Sequence, residues 1–89
     1  MHLPHISLGN SADGRVTVTT DDTEVYDLVE DYLVEKCNLE PEEVLFSEAN
    51  AVQAHTMFFP RTVTKEHLQG ALEKLDADEI ERVFRLNNG

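Results

Sequence analysis

Hydrophobic and polar positions change their period several times along the chain, and each change marks an element. From Arg15 to Thr20 they alternate through a β-branched run, which predicts a strand with Val16 and Val18 on its core face. His5 to Leu8 is a shorter run of the same kind. Gly9 to Gly14 between them is turn-forming, so a hairpin is expected. Val25, Leu28, Val29, Tyr32, Leu33 and Cys37 then recur at helical spacing. Asp21, with Glu24 three residues on, supplies a capping box for that helix. Asn38 suits a left-handed cap at its end, and Pro41 opposes continuation.

Beyond a turn at Pro41 to Glu43, Val44 to Phe46 and Ala51 to Phe59 predict two strands joined through Ser47 to Asn50. In the second, Val52, Ala54, Thr56 and Phe58 point one way, and Gln53, His55, Met57 and Phe59 the other. Pro60 ends it. Thr64 then caps a helix whose stripe is Leu68, Ala71, Leu72 and Leu75, with Val63 and Leu68 as a hydrophobic staple. Asp76, with Glu79, caps a last helix striped by Ile80, Val83, Phe84 and Leu86, and Asn87 to Gly89 supply a stop. The order ββαββαα predicts an α+β fold, a small antiparallel sheet packed against a single layer of helices. Eighty-nine residues make one domain, 1–89, in which the sparse signals of residues 1–14 predict looser attachment. A core of this size supports a net stability on the order of 5 kcal/mol.

Charge changes the picture more than composition does. The chain carries a net charge of −11 with a hydrophobic content of 40%. Nearly all of that charge lies between Asp21 and Glu48, where eleven carboxylates face one cation, Lys36. Within the first helix Asp27, Asp31 and Glu35 fall at i, i+4 and i+8, flanked by Glu30. Like charges at such spacing cost roughly 0.2–0.5 kcal/mol per pair, and Glu35 lies at the end where the helix dipole is also unfavourable. The bland explanation is a solubilising face. The functional one is a docking face for a basic protein, with Asp27, Glu30, Asp31 and Glu35 as partner-binding residues. Carboxylates one turn apart also approximate the spacing of phosphates along a nucleic-acid strand, so a nucleic-acid-mimicking inhibitor is an alternative.

Several classes are disfavoured. One cysteine, Cys37, makes no internal disulfide, and its place on the apolar stripe at a helix end suggests a core thiol rather than a reactive one. The first residues lack the pattern of a secretory signal, and no apolar run approaches the roughly 18–20 residues that span a bilayer. A cytoplasmic protein is expected, with neither free nucleic acid nor an anionic membrane as partner. His2 and His5 lack further metal ligands nearby, and Asp76 to Glu79 lacks the glycine and spaced ligands of a calcium loop. No nucleophile–base pattern or phosphate-binding glycine loop is present, so neither enzymatic activity nor a cofactor or metal is expected.

The segment Glu35-Lys36-Cys37-Asn38-Leu39-Glu40-Pro41-Glu42-Glu43-Val44 resembles the end of the first helix and the following loop in acyl carrier proteins. That resemblance implies a phosphopantetheine-bearing serine in an Asp-Ser-Leu sequence opening a second helix. The chain departs from it there: the only serine downstream, Ser47, sits in Phe46-Ser47-Glu48, and β-branched strands precede the helix.

The expectation is a non-enzymatic acidic module of the immunity, inhibitor or adaptor type, docking a basic protein through residues 21–48. Met57 and Phe59 offer a second, apolar surface, suited to a partner or homodimer, if helices leave their side of the sheet open. The remaining alternative is a small-molecule-binding or enzymatic subunit whose site, drawn from His55, His67 and Arg61, is assembled at an oligomer interface.

Overall fold

Among the described residues, four antiparallel strands form one sheet in the order β1-β2-β4-β3, and three helices accompany it. The structure, a computed structural model, describes residues 3–50 and 52–88. The elements are β1 (Ile6–Asn10), β2 (Val16–Thr20), α1 (Thr23–Glu35), β3 (Glu43–Ala49), β4 (Val52–Phe58), α2 (Lys65–Leu72) and α3 (Ala77–Asn88). The α+β architecture and the order ββαββαα expected from the pattern are those observed.

Two sequence-local hairpins, β1–β2 and β3–β4, are joined by the pairing of β2 with β4, which sets Val18 opposite Met57 and Thr20 opposite His55. Alternation then sorts the sheet into two faces. Val16, Val18, Met57 and Phe59 point under the helices and are buried, with Val18, Met57 and Phe59 at 0% exposure. Thr17, Thr19, Thr56 and Phe58 lie on the other face, where the Thr19 and Thr56 hydroxyls are 3.3 Å apart. The helices meet the sheet through Val25, Val29 and Leu33 of α1, Leu68, Ala71 and Leu72 of α2, and Ile80 of α3. Full burial of each large side chain contributes about 1.5–3 kcal/mol, most of it offset by conformational entropy.

Met57 and Phe59 therefore offer no surface. The helix layer covers β4, and both side chains are core. Leu86, placed on the apolar stripe of α3 by spacing, is 76% exposed because six residues after Ile80 it lies about a third of a turn round the helix from that buried side chain.

Local boundaries follow the capping chemistry, with one shift. The α1 cap is Asp22 rather than Asp21: the Asp22 Oδ2 accepts the amides of Glu24 and Val25 at 3.0 and 3.2 Å. Its Oδ1 accepts the side-chain amides of Asn87 and Asn88, both at 2.7 Å, so one carboxylate closes the start of α1 and ties it to the end of α3. Asp21 points outward to His5 instead. Asn38 has φ 56, as its cap role requires, and the Leu39 amide returns to the Leu33 carbonyl at 2.8 Å. Thr64 accepts the His67 amide at 3.1 Å and Asp76 the Asp78 amide at 2.9 Å. The Glu79 side chain pairs with Arg82 at 3.8 Å.

The strands run longer than their apolar letters. β1 continues to Asn10 and β3 through Ser47-Glu48-Ala49, which leaves a tight connection at Asn50, with φ 54. Ala51, expected to open β4, and Gly89, part of the expected stop, lie outside the described residues, as do Met1 and His2. His5 fastens the first hairpin. It has φ 65, stacks on Phe84 at 3.7 Å, and lies 3.2 Å from Asp21 and 3.1 Å from Glu81.

Candidate protein-docking surface

Helical spacing sets Asp27, Glu30, Asp31 and Glu35 of α1 in two rows. Tyr26, Glu30 and Val34 follow one another at i, i+4 and i+8, and Asp27, Asp31 and Glu35 form the adjacent row further from the core. Contacts on either flank fix which way these rows look. The Tyr26 ring stacks on His55 of β4, with centroids 4.2 Å apart and planes at 10°. On the opposite flank the Tyr32 hydroxyl donates to the Ala71 carbonyl of α2 at 2.8 Å. The Tyr26 row therefore faces the β3 edge of the sheet.

Asp27, Asp31 and Glu35 are exposed and Glu30 is half-buried. Among the described residues no ion pair involves any of the four. Burial pushes the Glu30 carboxyl above its ordinary value, and Asp31, Asp27 and Glu35 push it further. The Tyr26 phenol is likewise raised, first by burial and then by the charges of Glu30, Asp27 and Asp31. The four expected docking residues thus form one uncompensated field, and the hydroxyl of Tyr26 lies within it.

An apolar ledge continues that surface. Phe46 lies opposite His55 in the β3–β4 register, its ring 4.7 Å from the imidazole and tilted by 51°. Tyr26, His55 and Phe46 accordingly run in sequence from the helix to the sheet edge. Every residue of β3 is exposed, and Val44, Leu45 and Phe46 retain 38, 53 and 57% of their accessible surface, with Val52 beside them at 47%. Val44 and Phe46 belong to the helix-covered side but lie beyond the reach of α1; Leu45 and Val52 are on the bare side. The apolar surface assigned from sequence to Met57 and Phe59 thus occurs one strand further out.

At the near end of β3, Arg15 gathers charge on the bare face. Its guanidinium lies 3.0 Å from Glu43, 3.8 Å from Glu42 and 2.9 Å from Asp13, and 4.8 Å above the Phe58 ring. Hydrogen bonds from Ser11 and Arg15 hold the Asp13 carboxyl at about 2. Glu48 at the far end accepts from the Gln53 amide at 3.5 Å, while Gln53 accepts from the Thr23 hydroxyl at 3.0 Å.

His55, His67 and Arg61 are dispersed. His55 is sandwiched between Tyr26 and Phe46, and Arg61 lines a shallow depression with Asp13, Arg15 and Glu42. His67 opens α2 beside a cleft of about 500 Å³ that also includes Tyr32, Lys36, Cys37, Glu66 and Lys74. Cys37 is half-buried there, packed against the edge of the core just beyond the end of α1. Ser47, the serine that departs from the carrier-protein pattern, is an exposed strand residue. Among the described residues no group of three or more His, Cys, Asp or Glu side chains is placed to hold a metal, and no helix is long and apolar enough to cross a membrane.

The fold and surface define an α+β domain with an acidic helix flank bordering an apolar sheet edge. Comparison with protein-family models, curated proteins and solved structures found no match for this chain.

Proposed function

We propose that the protein is a small, non-enzymatic, cytoplasmic binding module of the immunity, inhibitor or adaptor kind, which docks a basic partner protein through its acidic 21–48 segment. The observation that carries this reading is the uncompensated carboxylate field of Asp27, Glu30, Asp31 and Glu35. A helix selected for stability alone would intersperse cations, since each like-charged pair costs roughly 0.2–0.5 kcal/mol. Retaining the repulsion makes sense where a cationic partner relieves it, because complementary charge accelerates encounter and rejects acidic competitors.

The test compares wild-type protein with the variant Asp27→Lys, Asp31→Lys, Glu35→Lys, each immobilised and exposed to native lysate at low and high salt. A partner captured by the wild type, weakened by salt and lost from the variant supports the reading. Retention by the charge-reversed variant with unchanged salt dependence overturns it.

A further inference from the structure

The free edge of β3 has the backbone of an open docking strand, and its direction follows from the ladder. The Phe59 amide bonds the Val16 carbonyl at 3.0 Å, so the odd-numbered residues of β4 direct their backbone groups to β2 and the even-numbered ones to β3. In the β3–β4 register, Glu43, Leu45, Ser47 and Ala49 face those even residues. Val44, Phe46 and Glu48 therefore turn their N–H and C=O groups outward.

Edge strands ordinarily carry protection: lysines, prolines, inward charges, or a covering element. β3 has no lysine or proline and is exposed throughout, with three large apolar side chains in succession. Its only charges, Glu43 and Glu48, bracket that apolar run, and the Glu30 and Asp27 rows of α1 rise alongside it beyond Tyr26.

Charge decides the occupant. A second copy pairing antiparallel through β3 about an axis normal to the sheet would keep both helix layers on one side. It would bring two Asp27 and Glu30 flanks towards each other, in chains that each carry −11. A cationic strand meets the opposite situation.

We infer that β3 receives an extended basic peptide segment of the partner as a fifth strand, in which Lys or Arg alternates with apolar residues. The segment bonds the outward backbone groups of Val44, Phe46 and Glu48. Its cations lie on the helix side, with aliphatic stems over Phe46 and Val44 and charged ends towards Glu30, Asp27 and Glu48. Its apolar side chains cover Leu45 on the bare side. This inference rests on the basic-partner reading and names the docking element.

The probe is a heptapeptide, Val-Lys-Val-Lys-Val-Lys-Val, matched antiparallel to the seven residues of β3 so that its lysines fall opposite Val44, Phe46 and Glu48. It is titrated into the isotope-labelled full chain by NMR at low salt. An analogue of equal charge, N-methylated at the backbone of the lysines, whose amides face β3 in an antiparallel pairing, serves as control. Saturable binding, slowed hydrogen exchange at the Val44, Phe46 and Glu48 amides, and affinity for the analogue lower by about 10-fold or more support the inference. Equal binding of both peptides without protection at β3 overturns strand addition and leaves the basic-partner reading standing. Absence of binding by either peptide overturns the inference, while partner capture by the α1 charge-reversal comparison still judges the broader reading separately. Protection of the same amides in a concentration-dependent dimer of the peptide-free protein assigns the edge to a second copy and likewise overturns it.

Discussion

Tyr26 and His55 lie ring upon ring, 4.2 Å between centroids and 10° from parallel, and this stack is what joins the acidic flank of α1 to the apolar edge of the sheet. An aromatic pair of this kind contributes about 0.5–1.5 kcal/mol beyond the area it buries. Replacing Tyr26 by Leu keeps most of the apolar contact and removes the stack. The expected loss is about 1 kcal/mol in urea denaturation, with Phe46 resonances shifting because His55 loses its second neighbour.

The carboxylate repulsion on α1 predicts a gain in stability from its removal. Glu30→Gln with Asp31→Asn is expected to stabilise the protein at neutral pH by roughly 0.5–1 kcal/mol, from the relief of two or three like-charge pairs. The sign follows from the raised Glu30 carboxyl. A carboxyl whose folded pKa exceeds its unfolded value favours the folded state at low pH and loses that contribution as pH rises through the folded pKa. The gain should therefore be largest at neutral pH, shrink in high salt and vanish in acid. Urea midpoints at several pH and salt values check it, and a neutral or destabilising effect at pH 7 would falsify the account.

Asp22 predicts the opposite dependence. Burial raises its carboxyl, but Asn88, Asn87 and the amides of Val25 and Glu24 together outweigh that and leave it below its ordinary value. Its contribution is fully present above the unfolded carboxyl range, near 3.9, and is lost as pH falls through the lower folded value. Asp22→Ala removes a cap and the acceptor that ties Asn87 and Asn88 to α1, although Asn88 keeps the Phe84 carbonyl, an expected cost of about 2 kcal/mol at neutral pH. Acid titration of stability should be shallower in this variant than in the wild type. Equal slopes below pH 4 would show that the carboxylate is not the group responsible.

The two tyrosines give a spectroscopic reading of the acidic field. Both phenols titrate above their ordinary value, Tyr26 through burial and the charges of Glu30, Asp27 and Asp31, Tyr32 through burial and the neighbouring Cys37 thiol. Neutralising Asp27, Glu30 and Asp31 as Asn, Gln and Asn should lower the Tyr26 transition and leave that of Tyr32 in place. Ultraviolet pH titration, assigned with Tyr26→Phe, distinguishes the two.

How much of this was legible in the chain depends on whether a feature is local. The periodicity of α1, the left-handed Asn38, the Thr64 and Asp76 caps, and the alternation from Val52 to Phe59 depend on neighbouring residues, and the structure follows them. The shift from Asp21 to Asp22 did not, because both residues have cap chemistry and the choice is made by Asn87 and Asn88, which pack from the far end of the sequence. Ser47-Glu48-Ala49 has the letters of a turn but gains its strand conformation from the facing residues of β4. Val44-Leu45-Phe46 was the most deceptive. An unbroken apolar run suggests burial on both faces, and nothing within it says that the strand will stand at the end of the sheet. Strand order, which no local pattern encodes, leaves those residues at the surface and puts the exposed patch there rather than at Met57 and Phe59.

Strand order also governs how the chain assembles. β1 with β2, and β3 with β4, are hairpins that close over short distances, whereas β2 and β4 meet only after the whole of α1 and β3 has been looped out between them. Loop closure of that length must precede the contacts that reward it, so Val18 against Met57 is where the late entropic cost of folding concentrates. Shortening Val18 to Ala should slow folding, while shortening Leu45 at the open edge should leave the rate nearly unchanged, a contrast that stopped-flow measurement resolves. The seam between the hairpins is then the kinetic gate of the molecule, and the outer strand can change its sequence without delaying the fold.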